Sequence, residues 1–329
     1  MNTATPERPV TASRPAQTVK AWRVNCFGST DVMSLEEIAR PLPGAGEILV
    51  KVAAAGVGPW DGWIRSGHSA LPQPLPLTLG SDLSGTVVAV GDGVTDFAVG
   101  EAVYGVTNAR FTGAYAEYAV ASAEMMAGKP ESLTDAEAAS IPVIAVTAWQ
   151  ALFEHARVGP GQTVLIHGAA GNVGAYAVQF AKQSGAHVIA TAGTGDVETV
   201  RALGADEVID YKTGRFEDVA HDIDVVIDLV GGKTQERSFA VLKRGGLLVS
   251  AVSEPDQALA ERHGVRALFF LVEVTTMHLT RIAEMIDAGE LTVNVGTVLP
   301  FADAKVAHEM LEGLCPHPSG KIILNIGAE

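Results

Sequence analysis

The chain has 329 residues, enough for two domains of ordinary size, and 47% of them are apolar, enough to bury a large core. A net charge of −15 disfavours nucleic acid and anionic membrane surfaces as partners. The two cysteines, Cys26 and Cys315, can build neither a disulfide framework nor a four-cysteine zinc lobe, and they read as reduced thiols of a cytoplasmic protein.

Residues 1–18 are rich in Pro, Thr and Ala and lack the apolar centre of a secretory signal, so a flexible tail is expected there. From 19 to 125 the sequence reads as short strands between glycine turns. Strands are expected over 48–53, within 80–91, over 102–104 and over 113–120, which suggests a compact β barrel or sandwich. Trp60 and Trp63 fall in what reads as a Pro–Gly-bounded loop with Asp61 and Arg65. They are open to two readings, a plug in an interdomain core or an aromatic wall for a flat, apolar substrate. Thr134 followed by Glu137 is a capping box that starts a helix. Residues 138–153 are the longest apolar stretch, too short to span a bilayer and suited to a buried helix.

At Val164 the rhythm changes to strand, helix, strand. Val164-Leu165-Ile166 is a buried strand, 168–174 a small-residue turn, and Val173, Ala177, Phe180 and Ala181 mark one face of a helix that Gly185 ends. The turn reads Gly168-x-x-Gly171-x-x-Gly174, with Ala169 where a G-x-G-x-x-G pattern has its first glycine. Gly171 lets backbone approach a ligand, Gly174 lets the helix pack on the strand, and the first helical N–H groups near Asn172 and Val173 offer an anion site suited to a pyrophosphate. Further strands are expected over 187–191, 207–210, 223–230, 246–250 and 265–274, with helices over 197–203 and 234–242. This alternation argues for a doubly wound parallel sheet. After it come a helix at Leu279, Ile282 and Ile286, an extended run over 293–299, a helix over 304–311 and a strand over 321–326. This tail is read as returning to the β-rich domain.

Thr191 stands about 20 residues past Gly171, where an Asp or Glu would accept from the ribose 2′-OH of NAD. It is small and neutral and leaves room for a 2′-phosphate, although Asp196 and Glu198 follow it. Thr147 is suited either to the nicotinamide carboxamide or to bonding its own helix backbone. Ala251-Val252-Ser253 lies past the fifth strand, at the sheet edge where ligands bind in such folds. Phe269 and Phe270 suit either the nicotinamide ring or the core.

Four segments together, 80–91, 168–174, 204–211 and 307–324 (Ala307-His308-Glu309-Met310-Leu311 before Gly320-Lys321-Ile322-Ile323-Leu324), resemble the zinc-independent quinone oxidoreductase branch of the medium-chain dehydrogenase/reductases, over roughly residues 19–326. The resemblance implies a GroES-like catalytic domain, 19–138 and 279–329, split around a Rossmann domain, 139–278, with NADP(H) in the cleft. It places Ala170, Gly171, Asn172, Val173, Gly174, Thr147, Thr191, Arg201, Tyr211, Val230, Ala251, Val252, Ser253, Phe269 and Lys321 at the cofactor, with Tyr211 and Arg201 toward the adenosine phosphate. Trp60, Asp61, Trp63 and Phe270 are expected at the substrate.

Zinc dehydrogenases of this superfamily carry cysteine at the Gly58 position and a His-Glu pair at Ser81-Asp82. His68 and His155 remain but are scattered, so no metal is expected. Quinone oxidoreductases often carry asparagine at the Gly58 position and tyrosine at Trp63. The reaction expected is NADPH-dependent reduction of quinones or α,β-unsaturated carbonyls. The alternatives are a metal-free alcohol dehydrogenase and a non-enzymatic NADPH-binding structural or sensor protein. A homodimer joined along 265–274 is expected, as the resemblance implies and as an apolar sheet edge requires.

Overall fold

A computed structural model describes residues 17–327; most of the expected tail, residues 1–16, lies outside it. β1 (Thr18–Val24) pairs with β2 (Met33–Ala39) and with the two-residue β4 (Leu77–Thr78). Between β2 and β4 come β3 (Glu47–Val57) and α1 (Pro59–Ser66). The expected loop at Trp60 and Trp63 is therefore a helix. Pro59 opens it with φ already set, the Asp61 carboxylate accepts from Gly58 N–H at 2.8 Å, and Gly67 closes it at φ 82°.

β5 (Asp82–Val90), β6 (Ala102–Val106), β7 (Tyr118–Ser122) and β8 (Met126–Gly128) follow, then α2 (Asp135–Ala139) with the Thr134–Glu137 capping box formed. The strand expected from 113 begins only at Tyr118. The apolar stretch after Ala138 becomes α3 (Pro142–Trp149), which runs into a π-helical turn over Gln150–His155.

The second sheet has the order β11-β10-β9-β12-β13-β14, every pairing parallel. The strands are β9 (Thr163–His167), β10 (His187–Ala192), β11 (Glu207–Asp210), β12 (Ile223–Asp228), β13 (Leu242–Ser250) and β14 (Arg266–Phe269). The helices between them are α4 (Asn172–Gln183), α5 (Val197–Ala202), α6 (Gly232–Ser238) and α7 (Gln257–His263). Chain order reverses between β9 and β12, the switch point at which dinucleotides bind in such folds. The α7 helix, capped by Asp256 onto Leu259 N–H, is absent from the sequence reading. The sixth strand is shorter than expected: the chain leaves the sheet after Phe269.

The α8 helix (Thr276–Asp287) packs its Leu279, Ile282 and Met285 into the core that α3 and α4 share, and Tyr104 of β6 donates to Leu279 C=O at 2.6 Å. β15 (Val295–Pro300), α9 (Ala304–Leu311) and β16 (Lys321–Asn325) then return to the first sheet, where β16 lies antiparallel to β3 with Ile323 opposite Gly56. That sheet runs β15-β16-β3-β5-β6-β8, with β7 also on β3. Among the described residues no helix is long and apolar enough to cross a membrane.

Candidate active site

The glycine turn joins β9 to α4. Gly168 has φ 71°, and a Cβ on Gly174 would stand 2.2 Å from Gly168 C=O, so only glycine allows α4 this close to the strand end. No side chain caps α4. Its first N–H groups, at Asn172, Val173 and Gly174, therefore face outward with the positive end of the helix dipole. A cavity of about 200 Å3 opens beside them, with Ala170, Gly171 and Asn172 in its wall. This cradle fits the pyrophosphate of a dinucleotide.

Two further loops meet the turn. A Cβ on Gly168 would touch Val230 Cγ2 at 3.3 Å, and one on Gly231 would touch Ser253 Oγ at 3.1 Å and Val252 Cγ2 at 3.3 Å. The structure thus brings Ala170–Gly174, Val230, Ala251, Val252 and Ser253 to one end of the sheet. The loops are held by Asp228, the last residue of β12. Its buried carboxylate accepts from Val230 N–H (3.1 Å), Gly231 N–H (2.8 Å), Gln235 Nε2 (2.9 Å) and Ser250 Oγ (2.9 Å). Gln235 also donates to Ser253 C=O at 3.1 Å, and Ser250 Oγ accepts from Ser253 N–H at 3.2 Å.

At the other end of the cleft several expectations are corrected. Thr191 is buried, and its hydroxyl is 3.1 Å from His167 Nδ1, so it faces the interior and not a ribose. His167 Nε2 lies 3.0 Å from Ser238 Oγ, and burial pulls the imidazole pKa down to about 4. Arg201 is bonded to Glu198. Tyr211 is exposed beside Gly193, with Lys212 Nζ 5.0 Å from its ring centre. Thr147 donates to Val143 C=O at 2.7 Å, the helix-backbone alternative. Phe270 packs into the nucleotide-domain core with its ring 4.5 Å from His155, and so does not line an open pocket; Phe269 ends β14 half-buried.

Between the domains, Trp60 packs against both cores. Its Nε1 donates to Ser81 Oγ at 3.0 Å. Gly58 has ordinary extended backbone, φ −132°, so the turn itself does not demand glycine. The indole does: a Cβ at 58 would stand 2.3 Å from Trp60 Cη2. Lys321 Nζ sits 4.3 Å from the Trp60 ring centre and 3.0 Å from Asp82 Oδ2. Asp82 Oδ1 accepts from Val143 N–H at the start of α3 (3.2 Å). Lys321 is thus a fully buried partner of Asp82, not an open cofactor contact.

Trp63 is 54% exposed and forms no wall with Trp60. Asp61 is buried beneath α1, where it accepts from Tyr115 OH at 3.0 Å. Burial pushes its carboxyl pKa up to about 7, against the opposing Gly58 N–H and Lys321. Arg65, also buried, bonds Gly28 C=O, Glu312 and His308 Nδ1.

The positions that hold zinc in related dehydrogenases do not fit the metal in this chain. Gly58 offers no side chain, its space is filled by Trp60, Ser81 is engaged by the indole, and Asp82 is paired with Lys321. The His155 ring lies against that of Phe270, tilted at 45°, and His68 bonds Ser66. Among the described residues no three His, Cys, Asp or Glu side chains converge as a ligand set.

Two family models match, "Alcohol dehydrogenase GroES-like domain" over residues 44–131 and "Zinc-binding dehydrogenase" over 203–324. The 2-methylene-furan-3-one reductase of Solanum lycopersicum is 33% identical over 98% of this chain and 82% of its own length. Among solved structures, the quinone oxidoreductase from Coxiella burnetii superposes with a TM-score of 0.87 at 33% identity, covering 94% of this chain and 99% of that one. Mycobacterial Rv1454c complexed with NADPH superposes with a TM-score of 0.81 at 32% identity, covering 93% and 99%.

Proposed function

The chain belongs to the quinone oxidoreductase branch of the medium-chain dehydrogenase/reductase family, and from that premise we propose that it is a zinc-free, nicotinamide-dependent reductase of quinones or α,β-unsaturated carbonyls. The observation that carries this reading is the Trp60 indole in the volume of the position-58 side chain, bonded to Ser81. A reductase built this way works without a metal Lewis acid at those positions. It suits acceptors whose developing negative charge spreads over an enolate or hydroquinone.

The nicotinamide, when bound, supplies the hydride. The chain supplies placement. Ala170–Gly174 would hold the pyrophosphate on the α4 N–H groups, and the Asp228 network fixes the Val230–Gly231 and Ala251–Ser253 loops beside that turn. Trp60, clamped by Lys321 and Ser81, supports an apolar surface between the domains for a flat substrate. The relatives' names, a furanone reductase and a quinone oxidoreductase, support the same acceptor class.

The β14 edge supports a homodimer. β14 is a four-residue edge strand of its sheet, and Leu271 beside it is 54% exposed. Light scattering checks this, with a monomer at working concentration as the contrary result. The reductase reading is tested by mixing the protein, reduced nicotinamide dinucleotide and a benzoquinone in chelator. Dinucleotide oxidation is expected. No turnover with quinones or enones, but turnover of alcohols or activity only with added zinc, overturns it.

A further inference from the structure

Of the partly buried apolar side chains, Trp60 and Phe111 alone among the described residues pack against both domain cores. We propose that Phe111 is a specificity-determining residue: with Trp60 it sets the width of the interdomain cleft and selects conjugated acceptors of one ring over those of two fused rings. This rests on the reductase reading above.

Phe111 lies in the loop over 107–113, between β6 and β7. Its φ is 59°, a left-handed backbone that a bulky side chain rarely adopts. The other non-glycine residues with positive φ among the described residues, Arg157 and Asp222, are exposed. Phe111 N–H donates to Asn108 C=O at 3.0 Å and closes the turn. Thr107 Oγ1 and Asn108 Nδ2 both donate to Thr112 C=O, at 2.8 and 2.6 Å. Arg110 N–H donates to Asn108 Oδ1 at 2.9 Å, and Gln73 Nε2 donates to Arg110 C=O at 3.0 Å. Side chains thus hold the turn on both sides of Phe111. A strained residue that its surroundings over-determine in this way is a mark of functional positioning.

The loop and Trp60 share one anchor. Ser81 Oγ accepts from Trp60 Nε1 at 3.0 Å, and Ser81 C=O accepts from Thr107 N–H at 3.1 Å. Ser81 and Thr107 are both fully buried, so the two aromatic residues are tied to one rigid point at the domain junction. Phe111 is only half-buried, which leaves some of it open beyond the two cores it touches. A plug for the junction needs apolar area alone, and ordinary backbone supplies that. The left-handed turn adds a direction. An aromatic ring fixed beside Trp60 suits the flat face of a conjugated ring, and its bulk excludes a second fused one.

The test compares benzoquinone with naphthoquinone on the full chain. Phe111→Gly accepts the same φ without strain and removes the side chain. It should move the ratio of kcat/KM toward naphthoquinone by at least about tenfold, carried by KM more than by kcat. Phe111→Leu, which keeps apolar packing at the junction, should move it the same way by a smaller factor. Loss of a merely structural contact would lower both acceptors alike. Quenching of tryptophan fluorescence by each quinone, without dinucleotide, gives the same comparison as Kd values and needs no turnover. A ratio unmoved by both substitutions, in turnover and in binding, overturns the assignment. A shift in the Kd ratio without turnover of any acceptor supports Phe111 and defeats the reductase reading, so the two fail separately.

Discussion

Trp60 Nε1 donates to Ser81 Oγ across 3.0 Å, and the same indole stands where a side chain on Gly58 would begin. Both positions carry zinc ligands in related dehydrogenases, so one tryptophan occupies the volume of one ligand and the hydrogen-bonding capacity of the other. Gly58→Cys must therefore displace Trp60. Overpacking of this kind costs roughly 1–3 kcal/mol. The unfolding free energy of Gly58→Cys, read from urea denaturation, should fall by that amount, and chelator should leave both the stability and the activity of the unaltered protein unchanged. A fully stable Gly58→Cys protein would show that the indole does not fill this space.

Asp61 gives stability a signature in pH. Burial raises its carboxyl to about 7 in the folded chain, from an ordinary 3.8, so between these values the folded state holds the extra proton. Stability on its account is full below about pH 4 and declines as pH rises through 7. His167 at about 4 and His308 at about 3 act in the opposite sense, since burial keeps them neutral: their contribution is full above pH 6.5 and is lost as pH falls. Above pH 6.5 the Asp61 slope stands alone among these three. Unfolding free energy should drop by roughly 1 kcal/mol from pH 6.5 to 8, and Asp61→Asn should abolish that drop. An unchanged drop in the variant would assign it to another group.

Asp228 holds the two loops that meet the glycine turn. Asp228→Ala leaves the Val230 and Gly231 N–H groups without their acceptor and takes one of Gln235's, which costs about 3 kcal/mol. The KM for dinucleotide should rise at least about tenfold, with a smaller change in kcat, and Asp228→Asn should recover part of the affinity. A loss confined to stability would make the network structural only.

The parts of the fold legible in the sequence are those fixed by local chemistry. Gly174 was readable because its reason, contact with Gly168 C=O, lies within one turn of the chain. The Thr134–Glu137 cap was readable for the same reason. Pro59, Asp61 and Gly67 carried the start and stop of α1, but the tryptophans between them read as loop. Residues 270–272 continue an apolar run, and hydrophobicity does not distinguish a strand from the core packing that Phe270 adopts. Thr191 was misplaced because its partner, His167, lies on the adjacent parallel strand. Asp82 and Lys321 are 239 residues apart, and only the return of β16 to the first sheet makes them a pair.

On the proposed reading the cleft serves conjugated acceptors, because such acceptors disperse the developing charge over their own atoms instead of fixing it on one oxygen. Hydride delivered to an isolated carbonyl concentrates a full charge, which needs a metal, a positioned acid or an oxyanion hole. The most direct measurement compares kcat/KM for an enone or benzoquinone with that for a saturated ketone of similar size, in the same buffer with chelator. The conjugated acceptor is expected to be favoured by at least about a hundredfold, the scale of one lost oxyanion donor. Equal turnover of the ketone would contradict the account.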